Sequence, residues 1–361
     1  DRNIGLDLGF LNNRLNVSFD AYIRDTKDML MAGKTLPGVY GASSPRMNVA
    51  DLRTKGWEAS VTWGDSFTLA SKPFNYRIMA GIGDNTSKVT KYDNPNRTLT
   101  DPYEGQQLGE IWGYVVDGYF KTDEEARNYK VDQSFVNQMI NASALDNGLH
   151  AGDLKFVDLD GNNKIEQTTS ANDRKDMKVI GNSLPRYNYN FGISADWYGI
   201  DFSVLFQGIG KQNWYPGAET SMFWGPYSRP YASFIPSDFM SQVWSEENTN
   251  AYFPRPRGYV ALGSNRELAV VNTKYLQNLA YCRLKNLSIG YTLPDKWLSK
   301  IGFEKIRVYF SGENLLTFTK LHSDYIDPEQ ASASNSWKTS KSDANIYPWA
   351  KTYSFGVDIT F

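Results

Sequence analysis

Features that define several common protein classes are scarce in this chain of 361 residues. Its single cysteine, Cys282, excludes an internal disulfide framework and a multi-cysteine metal site, and we expect it to be a small buried side chain. No apolar run of about 18 residues occurs, which excludes a transmembrane helix. Neither charge sign dominates, because 38 basic and 40 acidic residues leave a formal net charge of −2. A basic surface that binds nucleic acid is therefore not expected.

The residues and motifs of the common enzyme classes are missing as well. The two histidines, His150 and His322, are far apart and lack the His-Glu-x-x-His spacing of a zinc site. The chain has no Gly-x-Ser-x-Gly turn for a nucleophile and no Gly-x-x-x-x-Gly-Lys phosphate loop. Among the 40 acidic residues, nothing selects the pair that a glycosidase would need. We therefore predict no catalytic residues and no enzyme activity.

Aromatic residues, in contrast, are plentiful: they make up 14% of a chain whose mean hydropathy is −0.51, a pairing that suits a sheet with one wet face. Nine segments alternate apolar and polar residues with the period of two that is typical of β-strands. A change of face between Leu284 and Leu287 indicates a β-bulge. The nine predicted strands are 4–10, 15–25, 56–63, 74–82, 187–197, 201–208, 281–291, 305–314 and 349–361.

The connections between these strands alternate in length. Short ones are predicted at 11–14, 65–73, 198–200 and 292–303, and long ones at 26–53, 85–186, 211–276 and 317–348. Short turns at one rim and long loops at the other are typical of an outer-membrane β-barrel. A soluble β-sandwich also alternates, but it seldom carries a loop of about 100 residues between neighbouring strands.

The second predicted strand shows which face each residue should occupy in such a barrel. Only one orientation keeps Asp20 out of hydrocarbon. The residues then expected to face lipid are Leu15, Val17, Phe19, Ala21 and Ile23. Those expected to face the lumen are Asn16, Ser18, Asp20, Tyr22 and Arg24.

One loop segment has oxygen-bearing side chains at the spacing of a calcium-binding loop. Side-chain or backbone oxygens at alternate positions can converge on a hard cation, as in EF-hand-like loops. Asn163 replaces the glycine of the sharp turn and Thr169 occupies position twelve, so a later carboxylate would have to complete the site. A solvated polar turn is the alternative. The predicted Ca²⁺ ligands are Asp158, Asp160, Asn162, Lys164 through its carbonyl, Glu166 and Asp173.

Aromatic residues in the long loops are candidates for binding substrate, because flat rings can stack on sugars or hold peptide side chains. Alternatively, they pack the loops against one another or against a lid. The candidates are Trp112, Tyr114, Trp214, Tyr215, Phe223, Trp224 and Tyr227.

Several stretches resemble motifs of one family. The segment 281–294, with Arg-Leu-Lys-Asn-Leu at 283–287, is similar to a strand of SusC/RagA-type TonB-dependent transporters of Bacteroidetes. The segment 311–319, with Asn-Leu-Leu-Thr-Phe-Thr at 314–319, resembles the strand that follows it. Further similar motifs are Gly109–Tyr114, Asp117–Phe120, Gly152–Phe156, Asp327–Glu329 and Tyr347–Phe361. The resemblance covers essentially the whole chain.

This resemblance implies TonB-dependent import of a bulky nutrient, an oligosaccharide or peptide, across the Gram-negative outer membrane. Such transporters have 22 strands and a plugged lumen, so the chain is expected to supply the last nine, about strands 14 to 22. A SusD-like surface lipoprotein as lid, the TonB complex, and a plug with thirteen preceding strands in another polypeptide or segment are the expected partners. The terminal Phe361 resembles a barrel sorting signal, so its deletion should lower the amount of folded protein. A surface adhesin or structural β-protein that binds ligand without transport is the alternative.

Overall fold

The computed structural model describes residues 1–33, 38–42, 45–136, 148–228, 235–257, 259–263, 265–298, 302–331, 341–342 and 347–361. In chain order its strands are β1 Arg2–Phe10, β2 Leu15–Ala32, β3 Arg46–Leu69, β4 Lys72–Lys91, β5 Glu110–Tyr114, β6 Val116–Tyr119, β7 Leu154–Phe156, β8 Met177–Asn182, β9 Arg186–Trp197, β10 Ile200–Lys211, β11 Asn213–Pro216, β12 Gln277–Asn278, β13 Tyr281–Thr292, β14 Lys305–Thr319, β15 Lys341–Ser342 and β16 Thr352–Thr360. Short helices are α1 Asp123–Arg127, α2 Ser221–Trp224 and α3 Asp295–Leu298. Single 3₁₀ turns occupy Gly38–Tyr40, Gly225–Tyr227, Phe239–Gln242 and Tyr259–Leu262.

Nine long strands form one antiparallel sheet, and the predicted all-β fold is thereby confirmed. Their order is β1-β2-β3-β4-β9-β10-β13-β14-β16, so each strand pairs with the next long strand along the chain. Within the described part of the chain, the outer edges of β1 and β16 have no partner strand. Smaller sheets β12-β11-β15, β5-β8 and β6-β7 belong to the connections.

Several strands extend beyond their predicted ends. The ladder between β2 and β3 continues to the pair Ala32–Arg46, so their connection spans 33–45 rather than the predicted 26–53. The alternation of apolar and polar residues is lost there, yet backbone pairing continues. The hairpin between β3 and β4 turns on Ala70 and Ser71, both at positive φ as a tight type I′ turn requires.

The register places apolar and polar residues on opposite faces of the sheet. One row across eight strands is Leu8, Val17, Val61, Ala80, Phe191, Phe206, Leu284 and Leu316. One residue along each strand, the row is Asp7, Ser18, Ser60, Gly81, Asn190, Gln207, Arg283 and Thr317. The predicted bulge is confirmed, because the register shifts between Leu284 and Asn286 and restores the alternation. The predicted outward and inward residues of 15–24 therefore lie on opposite faces.

The buried core lies in the connections rather than against the sheet. The largest fully buried side chains are Trp214, Trp224, Tyr215, Tyr227, Tyr275, Phe120, Phe156, Phe223 and Phe253, none of which belongs to the nine-stranded sheet. The apolar face stays exposed, as Phe19, Ile193 and Val357 show. Cys282 is half-buried rather than buried, and it lies on the same face of the sheet as Leu284. Among the described residues, no helix is both long and apolar enough to cross a lipid bilayer.

Candidate functional site

Six of the seven aromatic residues predicted to bind substrate form the loop core instead. Each is at most 3% exposed, so in this conformation none offers a ring face to a ligand. The six residues are Tyr114, Trp214, Tyr215, Phe223, Trp224 and Tyr227. The alternative interpretation, that the rings pack the long loops together, accounts for their positions.

Contacts of these rings show why the core accepts them. Phe223 and Trp224 meet edge to face at 4.8 Å, and Trp224 meets Tyr275 in the same way at 5.2 Å. Two of the polar ends are satisfied by carbonyl groups: Trp224 Nε1 donates to Gly217 at 2.9 Å, and the Tyr227 hydroxyl donates to Pro254 at 2.6 Å. Among the described residues, the buried Tyr114 hydroxyl has no hydrogen-bond partner. A hydrogen bond at the polar end of a buried ring offsets the cost of burying that polar atom, so the ring can stabilise the packed loops.

Trp112 is the exception, because it is only half-buried and borders an open cavity. The cavity has a volume of about 390 Å³, which lies within the range of about 300 to 1,000 Å³ typical of small-molecule sites. The substrate-binding prediction is therefore retained for Trp112. We call this cavity the Trp112 cavity. The residues that line it are Arg97, Tyr103, Gly105, Glu110, Trp112, Ala171, Arg174, Lys178 and Val179.

The walls of the Trp112 cavity are held by hydrogen bonds. Asn94 organises the first wall, since its Nδ2 donates to the carbonyls of Thr98 and Pro102 at 3.0 and 3.1 Å. The second wall is fastened to the first through Ala171, whose N–H donates to the Arg97 carbonyl at 2.9 Å. Pairing of β5 with β8 places Trp112 opposite Val179 and forms the remaining side. These contacts hold the walls of the cavity in place.

The predicted calcium loop brings together three carboxylates, one of which the sequence did not indicate. Ligand oxygens of Asp158, Asp160 and Asp176 all lie within 4.8 Å of one another. Backbone N–H groups fix the acids: Asp158 accepts from Gly161 and Asn163, both at 2.7 Å. Carboxylate oxygens at this separation are a chemically suitable set for a hard cation such as Ca²⁺.

The other predicted ligands have different partners. Glu166 lies 3.7 Å from the ammonium group of Lys175 and 3.9 Å from that of Lys164, and Asp173 lies 3.6 Å from Lys175. The side-chain oxygen Oδ1 of Asn162 accepts the backbone N–H of Lys164 at 2.8 Å. Glu166 and Asp173 therefore pair with lysines, and they are not among the three acids whose oxygens lie within 4.8 Å of one another.

Electrostatics at the three acids favour a counter-charge. Burial raises the pKa of Asp176, and the charges of Asp160 and Asp158 act in the same direction. Burial also acts to raise the pKa of Asp158, but the N–H groups of Asn163, Gly161 and Asn162 hold it below its usual range. Clustered carboxylates repel one another, and a bound cation would remove this repulsion.

A buried ion-pair network joins the segments 281–294 and 327–329, which the sequence showed only as two separate motifs. Arg283 of β13 donates to Asp327 at 2.7 Å and to Glu329 at 2.6 Å, and its side chain is 3% exposed. Lys285 donates to both Glu329 oxygens at 2.8 Å. Asp327 also accepts the N–H of Trp349 at 3.1 Å. The network fastens the connection after β14 onto the polar face of the sheet.

The chain is similar to known proteins over nearly its whole length. No family model matches the chain. Over 99% of its length it is 28% identical to TonB-dependent receptor P3 of Formosa agariphila, covering 33% of that protein. It is 23% identical to TonB-dependent receptor SusC of Bacteroides thetaiotaomicron, with 99% of this chain and 31% of that protein covered. In a solved structure described as that of the RagAB peptide transporter, one chain matches with a TM-score of 0.69 at 21% identity, over 99% of this chain and 34% of its own length.

These similarities confirm the predicted resemblance to SusC/RagA-type TonB-dependent transporters. These relatives are named as receptors and a transporter, not as enzymes. The chain spans about a third of the length of the curated relatives it matches.

Proposed function

We propose that this chain forms part of the wall and the extracellular loops of a TonB-dependent transporter, which imports a bulky nutrient, an oligosaccharide or peptide, across the outer membrane. The observation that carries the proposal is the two-faced nine-stranded sheet with its core in the loops. A soluble protein would have to cover an apolar face of this extent, whereas lipid solvates it. Similarity to TonB-dependent receptors over nearly the whole chain supports the same function.

The proposed partners follow from the unpaired edges and the relatives. Edges of β1 and β16 in hydrocarbon would leave backbone N–H and C=O groups unsatisfied at several kcal/mol each. We propose that further strands of the same transporter pair with them and that a plug closes the lumen. A SusD-like surface lipoprotein covers the loops as a lid, and the TonB complex supplies energy through another part of the protein.

Uptake and localisation test this function. Cells lacking the full-length gene, cells lacking TonB and wild-type cells are compared for uptake of fluorescent oligosaccharides and oligopeptides. Loss of uptake of the same compound in both mutants, with the protein in the outer-membrane fraction, is the expected result. Ligand capture at the cell surface that does not depend on TonB would instead favour an adhesin.

We also propose a Ca²⁺ ion held by Asp158, Asp160 and Asp176. Replacing Asp158 and Asp160 by asparagine is expected to weaken calcium binding at least tenfold, because two negative ligands are lost. Calorimetric titration of the chelator-stripped full-length protein measures the affinity. Asp295→Asn, an exposed acid far along the chain, is the control. Absence of binding to the wild type at millimolar calcium would exclude the ion.

A further inference from the structure

The charges around the Trp112 cavity are unbalanced. Arg97, Arg174 and Lys178 contribute three cations, and Glu110 is the only acid in the lining. Glu110 is already occupied, since one oxygen accepts the Tyr103 hydroxyl at 2.7 Å and the other accepts the Gln107 N–H at 2.9 Å. The lining therefore carries a net positive charge, because three cations stand against a single acid.

The three cations are available to an incoming group. Among the residues that the structure describes, none of the three forms an ion pair with a carboxylate. Arg97 donates to the Glu104 carbonyl at 2.7 Å and lies over the ring of Tyr103 at 5.4 Å, which fixes its direction. The side chains of Arg174 and Lys178 are exposed, whereas the Arg174 carbonyl is fixed by the Met177 N–H at 2.9 Å.

We propose that the Trp112 cavity binds a carboxylate-bearing unit of the imported substrate, with Arg97, Arg174 and Lys178 as the charge partners. This inference rests on the proposed transport function and narrows its substrate class. Guanidinium groups bind carboxylates through paired, charge-assisted hydrogen bonds, and an ammonium group adds a less directional attraction. The ring of Trp112 supplies a flat surface for the part of the ligand that carries the acid.

The carboxylate could belong to an acidic sugar or to a peptide, and four probes distinguish these sources. Binding of trigalacturonate, galactotriose, a tripeptide with a free C-terminus and its C-terminal amide is measured by calorimetry on the full-length protein. We expect one acidic probe to bind at least tenfold more tightly than its neutral counterpart. That preference should fall as the salt concentration rises from 0.05 to about 0.5 M, because the charges are partly exposed.

Substitutions at the exposed cations locate the binding. The double variant Arg174→Gln with Lys178→Gln is expected to lose most of the acid-over-neutral preference without affecting the fold. Lys121→Gln with Lys130→Gln, which removes two exposed lysines of the same connection outside the cavity, is the matched control. Arg97→Gln, which removes the third cation, should also lower the preference for the acidic probe.

Equal affinity for acidic and neutral probes, or an acid preference that survives the double variant, would overturn the proposal. The two proposals can fail separately. If the purified protein binds acids selectively and the double variant loses this preference, but uptake by cells does not need TonB, the transport function is overturned and the carboxylate-binding cavity is still supported. The pair that shows the preference identifies the source as a glycan or a peptide.

Discussion

Replacement of Glu267 by glutamine is expected to weaken the dependence of the loop core's stability on pH. Glu267 and Asp153 are both fully buried, and Arg257 supplies the guanidinium group beside them. Arg257 Nε lies 3.0 Å from Asp153 Oδ1 but 4.0 Å from Glu267 Oε1. Glu267 Oε2 accepts the Leu154 N–H at 3.1 Å, while Oε1 has no hydrogen-bond partner. The site thus holds two acids and one close cation.

The sign and size of the effect follow from this arrangement. Burial, and after it the charge of Asp153, raises the pKa of Glu267 to about 8 from its ordinary 4.5. The folded loop therefore keeps a proton that the unfolded chain has already lost. Its contribution to folding is fully present below the ordinary pKa and is lost as the pH rises towards 8. At 1.36 kcal/mol per pH unit, about 3 kcal/mol is lost by pH 7, as an upper limit.

Hydrogen exchange of the full-length protein, followed by mass spectrometry, measures this locally. Between about pH 5.5 and 7.5, and after correction for intrinsic exchange, protection around Leu154 in the wild type should fall by up to 100-fold. Glu267→Gln keeps an acceptor for Leu154 but cannot ionise, so the protection of this variant should fall less than that of the wild type. The remaining fall is assigned to Asp153, because burial raises the pKa of that carboxyl as well. Glu246→Gln, an exposed acid in the same connection, should behave as the wild type. The reasoning fails if Glu267→Gln and the wild type show the same pH slope.

Two further predictions concern the sheet. Arg283→Ala leaves Asp327 buried without its cation, so the free energy of unfolding measured by chemical denaturation should fall by about 3 to 5 kcal/mol. Adding Asp327→Asn to this variant should recover part of the loss. Equal stability of the single and double variants would contradict the prediction. Phe19→Arg should cost about 2 to 4 kcal/mol on refolding into bilayers, because the residue belongs to the apolar face. Ser18→Arg, one residue away on the polar face, should cost far less, and an equal loss would refute the assignment of that face to lipid.

The strands were predictable because their signal is local. Alternation along residues such as 187–197 reports which side of a sheet each residue occupies, and no distant contact is needed to read it. The bulge near Leu284 was visible for the same reason, since a change of face within one strand is itself a sequence pattern. Strand ends were less predictable, because β2 and β3 continue to pair where their alternation stops.

The loops carried no such periodicity, so only the tertiary structure decided what their residues do. Trp224 and Trp112 look alike in sequence, yet one is enclosed by rings from distant segments and the other borders a cavity. Asp176 joins Asp158 because the chain folds back between them, and Arg283 meets Asp327 across 44 residues. The sequence by itself determined the two-faced sheet through short-range alternation, whereas burial, charge pairing and the Trp112 cavity depend on contacts between segments far apart in the chain.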